Sequence, residues 1–99
     1  MDRKSLKIWE TKLELQYRQD GRCPVCDKPV SANDGQLSHR IPQAKWAIAK
    51  WGPAIIHHKF NMALTHPQCN DAVSISNHPL RMEQLAKIIR EELDEADTE

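Results

Sequence analysis

The sequence predicts a small α+β domain. Three observations predict it: an apolar stripe of helical period near each end, two short strand candidates between them, and two pairs of metal-ligating residues. The pairs are Cys23-Pro24-Val25-Cys26 and His66-Pro67-Gln68-Cys69. A chain of 99 residues is the length of one domain, here 1–99. A core this small gains from a metal staple.

The elements follow in order. Leu6, Trp9, Leu13 and Tyr17 lie on one stripe of a helix over 3–19, and Asp20-Gly21 stops it. Cys23 to Gly35 is rich in turn residues and predicts a zinc knuckle followed by a turn. Gln36 to Ile41 predicts a short strand carrying His39, and Phe60 to Thr65 a second. Between them, Gln43 to Trp51 predicts a helix closed by Gly52-Pro53. Another helix starts at Pro67 and runs to about Ser76. The last, over 79–95, has Pro79 in its first turn and an apolar face of Leu80, Leu85, Ile88, Ile89 and Leu93. Glu83 and Lys87 form a favourable i,i+4 pair on it, and Asp94 to Glu99 is expected to fray.

Hydrophobic content of 39% and charged content of 28% describe a folded chain and exclude a disordered one. No apolar run approaches the length of a membrane span, and the N-terminus has no signal-peptide pattern. Three cysteines, two of them in CxxC, argue against a disulfide scaffold, so the expectation is a cytoplasmic protein with thiolates on metal. The formal charge is zero, but residues 21–90 carry nine basic and four acidic residues, while residues 91–99 carry six acids and no base. A basic body with an acidic tail suits a phosphate-backbone partner.

The cysteines and His66 form one four-ligand set. CxxC turns two thiolates toward one metal, and HxxC does the same from the start of a helix. With Cys23, Cys26, His66 and Cys69 filling every position, the expected ion is a structural Zn²⁺. It closes the long loop between Cys26 and His66.

The segment inside this clamp reads CPVC…LSHRIPQ…HHKFNMALTHPQCND. It resembles the zinc-bearing HNH endonucleases, the His-Me finger or ββα-metal nucleases. The match covers 21–77: a CxxC, a strand histidine before Ile-Pro, an asparagine five residues ahead of the third zinc ligand, and Asn70 directly after the fourth. The resemblance implies two antiparallel strands and a helix around one divalent cation, Mg²⁺ or Mn²⁺, with the terminal helices outside that core. It implies that His39 is the general base, that Asn61 fixes the loop carrying it, and that Asn70 holds the catalytic ion. Two positions depart from the pattern. Ser38 stands where many members carry an Asp or His ligand, with Asp71 as a substitute, and His66 replaces a cysteine, which zinc accepts. Small free-standing proteins of this type resemble those of phages and mobile elements.

These readings predict an enzyme that nicks or cleaves DNA phosphodiesters. Activated water, a cation and an imidazole titrating near neutrality suffice for that chemistry. Arg40, beside the base, is the first candidate phosphate contact, followed by Lys45, Lys50 and Lys59; His58 is an auxiliary. Trp46 and Trp51 either stack on bases or cover the core. The rival reading is a non-catalytic zinc module that binds nucleic acid or a protein. A dimer through the terminal helices is a further expectation.

Overall fold

The computed structural model describes residues Asp2 to Asp97; Met1, Thr98 and Glu99 lie outside the described residues. The fold is α+β. Helix α1 spans Arg3–Arg18, strand β1 Gln36–His39, α2 Lys45–Trp51, α3 Pro53–Ile56, β2 Met62–Thr65 and α4 Pro79–Asp97. Two 3₁₀ segments, Lys59–Asn61 and Pro67–Val73, lead into and out of β2. β1 and β2 form one two-stranded antiparallel sheet. No helix among the described residues is long and apolar enough to cross a membrane. The chain divides into two units: 1–38 with 63–73, and 39–62 with 74–99.

In the first unit, α1 starts at Asp2, whose carboxylate accepts the Ser5 N–H at 2.7 Å; this bond holds the Asp2 carboxyl below its usual range. The helix ends in a Schellman motif. Gly21 N–H donates to the Gln16 carbonyl at 2.8 Å and Asp20 N–H to that of Tyr17 at 3.2 Å. Asp20 and Gly21 are both left-handed, at φ 55° and 70°.

The apolar stripe expected to bury α1 does not do so. Leu6 and Leu13 are exposed, and Tyr17 is 85% exposed. Only Leu15 is buried. The helix is instead fastened by two amides. Gln16 Oε1 accepts the Ala32 N–H at 3.0 Å. Gln19 satisfies both backbone groups of Leu64, accepting its N–H and donating to its carbonyl, each at 2.9 Å. The contacts that place the helix are therefore backbone bonds made by polar side chains. Gly35 fits closely beside them. A Cβ there would fall 2.7 Å from Leu64 Cδ1 and 2.9 Å from the Ser31 carbonyl oxygen.

The second unit holds the larger apolar core: Ile41, Ala47, Trp51, Ile55, Ile56, Ile75, Met82, Ala86 and Ile89. As expected, Gly52 closes α2, its N–H on the Ile48 carbonyl, and it also leads into a second helix. At φ 90° it redirects the chain, and Pro53 begins α3 at a position that needs no N–H donor. The expected strand from Phe60 begins at Met62, because residues 59–61 form a 3₁₀ turn. In the first unit, the helix expected from Pro67 to Ser76 is 3₁₀ and stops at Val73.

In α4 the buried residues are Met82, Ala86 and Ile89, with Leu85 and Leu93 partly buried; Leu80 and Ile88 are exposed. The face has turned by part of a step from the expected one. Glu83 pairs with Lys50 at 2.6 Å rather than with Lys87, and Lys50 also lies over the Trp51 ring at 4.7 Å. The helix continues through Asp97, past the point where fraying was expected. Two neighbouring isoleucines therefore give a direct test. Ile89→Ala should cost about 2–5 kcal/mol, as for other fully buried aliphatics. Ile88→Ala should stay within about 0.5 kcal/mol, measured for both by denaturant unfolding.

Candidate functional site

The first unit brings the four predicted zinc ligands together. One ligand atom each from Cys23, Cys26, His66 and Cys69 lies within 4.8 Å of the others. The knuckle around the first pair is tight. Cys23 N–H donates to the Lys28 carbonyl and Asp27 N–H to the Cys23 carbonyl, both at 2.9 Å, with Asp27 left-handed at φ 62°. On the other side, Cys69 N–H donates to the His66 carbonyl at 2.9 Å, the first turn of the 3₁₀ segment.

The donor set fits zinc. His66 Nε2 is 2.8 Å from the Pro29 carbonyl oxygen, so Nε2 carries the proton and Nδ1 faces the sulfurs. Nδ1 is 3.4 Å from Cys26 Sγ, close to the roughly 3.6 Å edge of a tetrahedron with ordinary zinc–nitrogen and zinc–sulfur bonds. All three cysteines are free of disulfides. Burial pushes the Cys23 thiol up, but hydrogen bonds from the backbone of Cys26, His66 and Val25 outweigh it and bring it to about 6. Burial and the neighbouring Cys23 and Cys26 sulfurs push Cys69 up to about 11. Three sulfurs this close repel one another as thiolates, and a divalent cation reverses that repulsion. With four protein ligands, a metal here has a structural role. No other group of three or more His, Cys, Asp or Glu side chains with this proximity occurs among the described residues.

His39, Arg40 and Asn61 belong to the second unit. Asn61 is fully buried, and its amide is nearly saturated. Its Oδ1 accepts the Ile41 N–H at 2.8 Å, while its Nδ2 donates to the carbonyls of Ile41 at 3.0 Å and Ile56 at 2.8 Å. Its own carbonyl accepts the Arg40 N–H at 2.8 Å. One side chain thus clamps the segment that follows His39 to the end of α3. His39 is half-buried, and its Nε2 is shielded without a hydrogen-bond partner among the described residues. The His57 ring meets it edge to face at 5.6 Å. Burial first, and His57 second, lower the pKa of His39, so its imidazole is neutral at physiological pH.

The remaining candidates divide. Ser38, in the first unit, is buried and shares a 2.7 Å hydrogen bond with the Thr65 hydroxyl. Asn70, also in that unit, is half-buried in the 3₁₀ segment directly after Cys69, and Asp71 is exposed. His58 accepts the Phe60 N–H at 3.1 Å through Nδ1 and packs on the Phe60 ring, which gives it a capping role. Trp51 is core, while Trp46 is half exposed and meets it edge on. Lys45 is exposed; Lys50 has Glu83 as counter-charge. Sequence reasoning missed the Pro29 carbonyl behind His66 and the approach of His57 to His39. Neither carries a sequence signal, since both arise from where the chain returns. No family model, curated protein or solved structure matches the chain.

Three outcomes are expected. Purified protein should hold one zinc, and Cys69→Ala or a strong chelator should lower its thermal stability; metal analysis and melting curves check this. Because protons compete for the sulfurs, zinc binding should release protons and weaken as the pH falls, which calorimetry in buffers of different ionisation enthalpy reads. Asn61→Ala should cost about 2–3 kcal/mol of unfolding free energy, because it leaves backbone groups of Ile41 and Ile56 buried without partners.

Proposed function

We propose that the protein is a zinc-stapled nuclease of the HNH type that hydrolyses DNA phosphodiester bonds. The observation that carries this reading is the setting of His39: a half-buried imidazole, edge to face with His57 and with its pKa lowered by burial, at the end of a strand whose continuation Asn61 clamps. A neutral imidazole nitrogen is what a general base needs near pH 7. The sequence pattern around it resembles that of the HNH nucleases, and a Cys/His set able to hold a structural zinc is part of that resemblance.

In this reading the His39 imidazole takes a proton from a water as the water oxygen attacks phosphorus. The new P–O bond forms, the bond to the leaving oxygen breaks, and that oxygen departs with the electron pair and takes a proton from solvent. Asn61 is a positioning residue that keeps the segment after His39 from shifting. A divalent cation, when bound, supplies charge to offset that on the pentacoordinate transition state, and Asn70 is the residue assigned to it. One observation favours the second reading, a non-catalytic zinc module: the Ser38 hydroxyl is engaged by Thr65 and buried, so it has no evident place among ligands to an ion.

Plasmid nicking with Mg²⁺ or Mn²⁺ separates the two. His39→Ala should retain zinc and fold but lose about 10²–10⁴ in rate. The wild-type rate should fall on acidification with a midpoint below 6.5, the ordinary histidine value, because the folded protein holds His39 lowered. That limb should be missing from the residual activity of His39→Ala. Absence of cleavage by wild type with both ions, on supercoiled, linear and single-stranded DNA, would leave the binding module as the function.

A further inference from the structure

Arg40 is held at its backbone from two sides. Its N–H donates to the Asn61 carbonyl and its carbonyl accepts the Ile75 N–H, both at 2.8 Å. Its half-buried side chain lines a cleft of about 220 Å³ within the second unit, together with Ile75, Arg81, Gln84, Leu85 and Ile88. Two cations, one just after β1 and one on α4, thus share one concavity. Neither guanidinium has an ion pair among the described residues; the carboxylate nearest in sequence, Glu83, pairs with Lys50. Burial and the Arg81 charge both work against the Arg40 proton.

Like charges held together beside an apolar wall cost free energy in the absence of an anion. In that wall Ile75 belongs to the core and Leu85 packs against it, but Ile88 serves neither. Ile88 is 55% exposed although it sits one residue from the fully buried Ile89. An anion placed between the two guanidiniums would meet charge-assisted donors from both, with the Gln84 amide beside them. Two forks brought in from separate parts of the chain suit phosphate, whose oxygens diverge in three dimensions, better than carboxylate, whose two oxygens one fork can fill.

We propose that the Arg40–Arg81 cleft is a phosphate-binding site that takes a backbone phosphate of nucleic acid. The occupant rests on the DNA reading above; the anion site rests on the cleft. Arg81 is exposed on α4, so Arg81→Gln removes a donor and a charge without emptying a core position. Lys87→Gln, on the same helix but outside the cleft, is the charge-matched control.

The experiment has two arms on the intact zinc-loaded chain, without added divalent ion so that cleavage plays no part. In the first, inorganic phosphate is titrated against the arginine Nε–Hε resonances, with acetate at equal ionic strength as comparison. Phosphate should shift Arg40 and Arg81, and acetate should not. In the second, anisotropy of labelled DNA is followed against salt. Arg81→Gln should weaken binding several-fold on unrelated sequences and lower the slope of log K against log salt by about one, while Lys87→Gln should leave the slope nearly unchanged. Arg40→Lys should weaken binding while keeping most of the slope, since charge remains and the fork is lost. If DNA binds and the Gln variants behave alike, the cleft assignment fails and the nuclease reading survives. If phosphate shifts the two arginines but wild type binds no DNA, the nucleic-acid occupant and the nuclease reading fail together. Equal shifts with acetate overturn the assignment in favour of a carboxylate partner.

Discussion

Between Cys26 and His66 the chain leaves the first unit, runs through α2, α3 and a 3₁₀ turn, and returns along β2; the side chains closing that excursion lie within 4.8 Å of one another. The first unit has little else to close it. Its buried aliphatic residues are Leu15, Val30, Ala32, Ala63, Leu64 and Val73, two of them alanines. Apolar burial on that scale offsets only part of the entropy of ordering the segment. A metal bound by deprotonated ligands adds free energy that the unfolded chain does not collect, so ion binding and folding become one equilibrium there. The Pro29 carbonyl extends the arrangement outward by fixing which nitrogen of His66 faces the sulfurs.

Four-residue strands pair few of their neighbours' backbone groups, and three amides make up the difference. Gln16 serves Ala32, Gln19 serves both sides of Leu64, and Asn61 serves Ile41 and Ile56. Each replaces a strand or a turn with one side chain. The effect at Asn61 bears on the proposed chemistry as well as on stability, since Ile41 lies two residues after His39. The lowered pKa of His39 and the fixed segment beyond it come from different causes, burial for one and an amide for the other.

The sequence revealed most where spacing itself is the mechanism. CxxC and HxxC place ligands on one side of an ion whatever lies between, so the metal cluster was legible in full. The extent of α1 was legible too, because Asp20-Gly21 can adopt the left-handed stop. Its orientation was not. Periodicity says which face is apolar but not whether anything covers it, and Leu6, Leu13 and Tyr17 remain exposed while Gln16 and Gln19 anchor the helix. Gly52-Pro53 was ambiguous for a physical reason: the same dipeptide ends one helix and starts another, depending on where the glycine sends the chain. The Glu83–Lys50 pair won over Glu83–Lys87 because tertiary packing brought a second lysine within reach.

The division of the chain has a consequence for its biosynthesis. The first unit draws on 1–38 and 63–73, the second on 39–62 and 74–99, so the two are interleaved along the sequence. A nascent chain emerging from the ribosome can complete neither unit when its first half is out. The cysteine pair at 23 and 26 must wait for His66 and Cys69, and Ile41 and Ile56 must wait for α4. Contacts of such separation are made late and carry a loop-closure cost. The first unit is therefore complete only once residue 73 is made and the second only once α4 is, and fragments cut before residue 73 contain no finished unit.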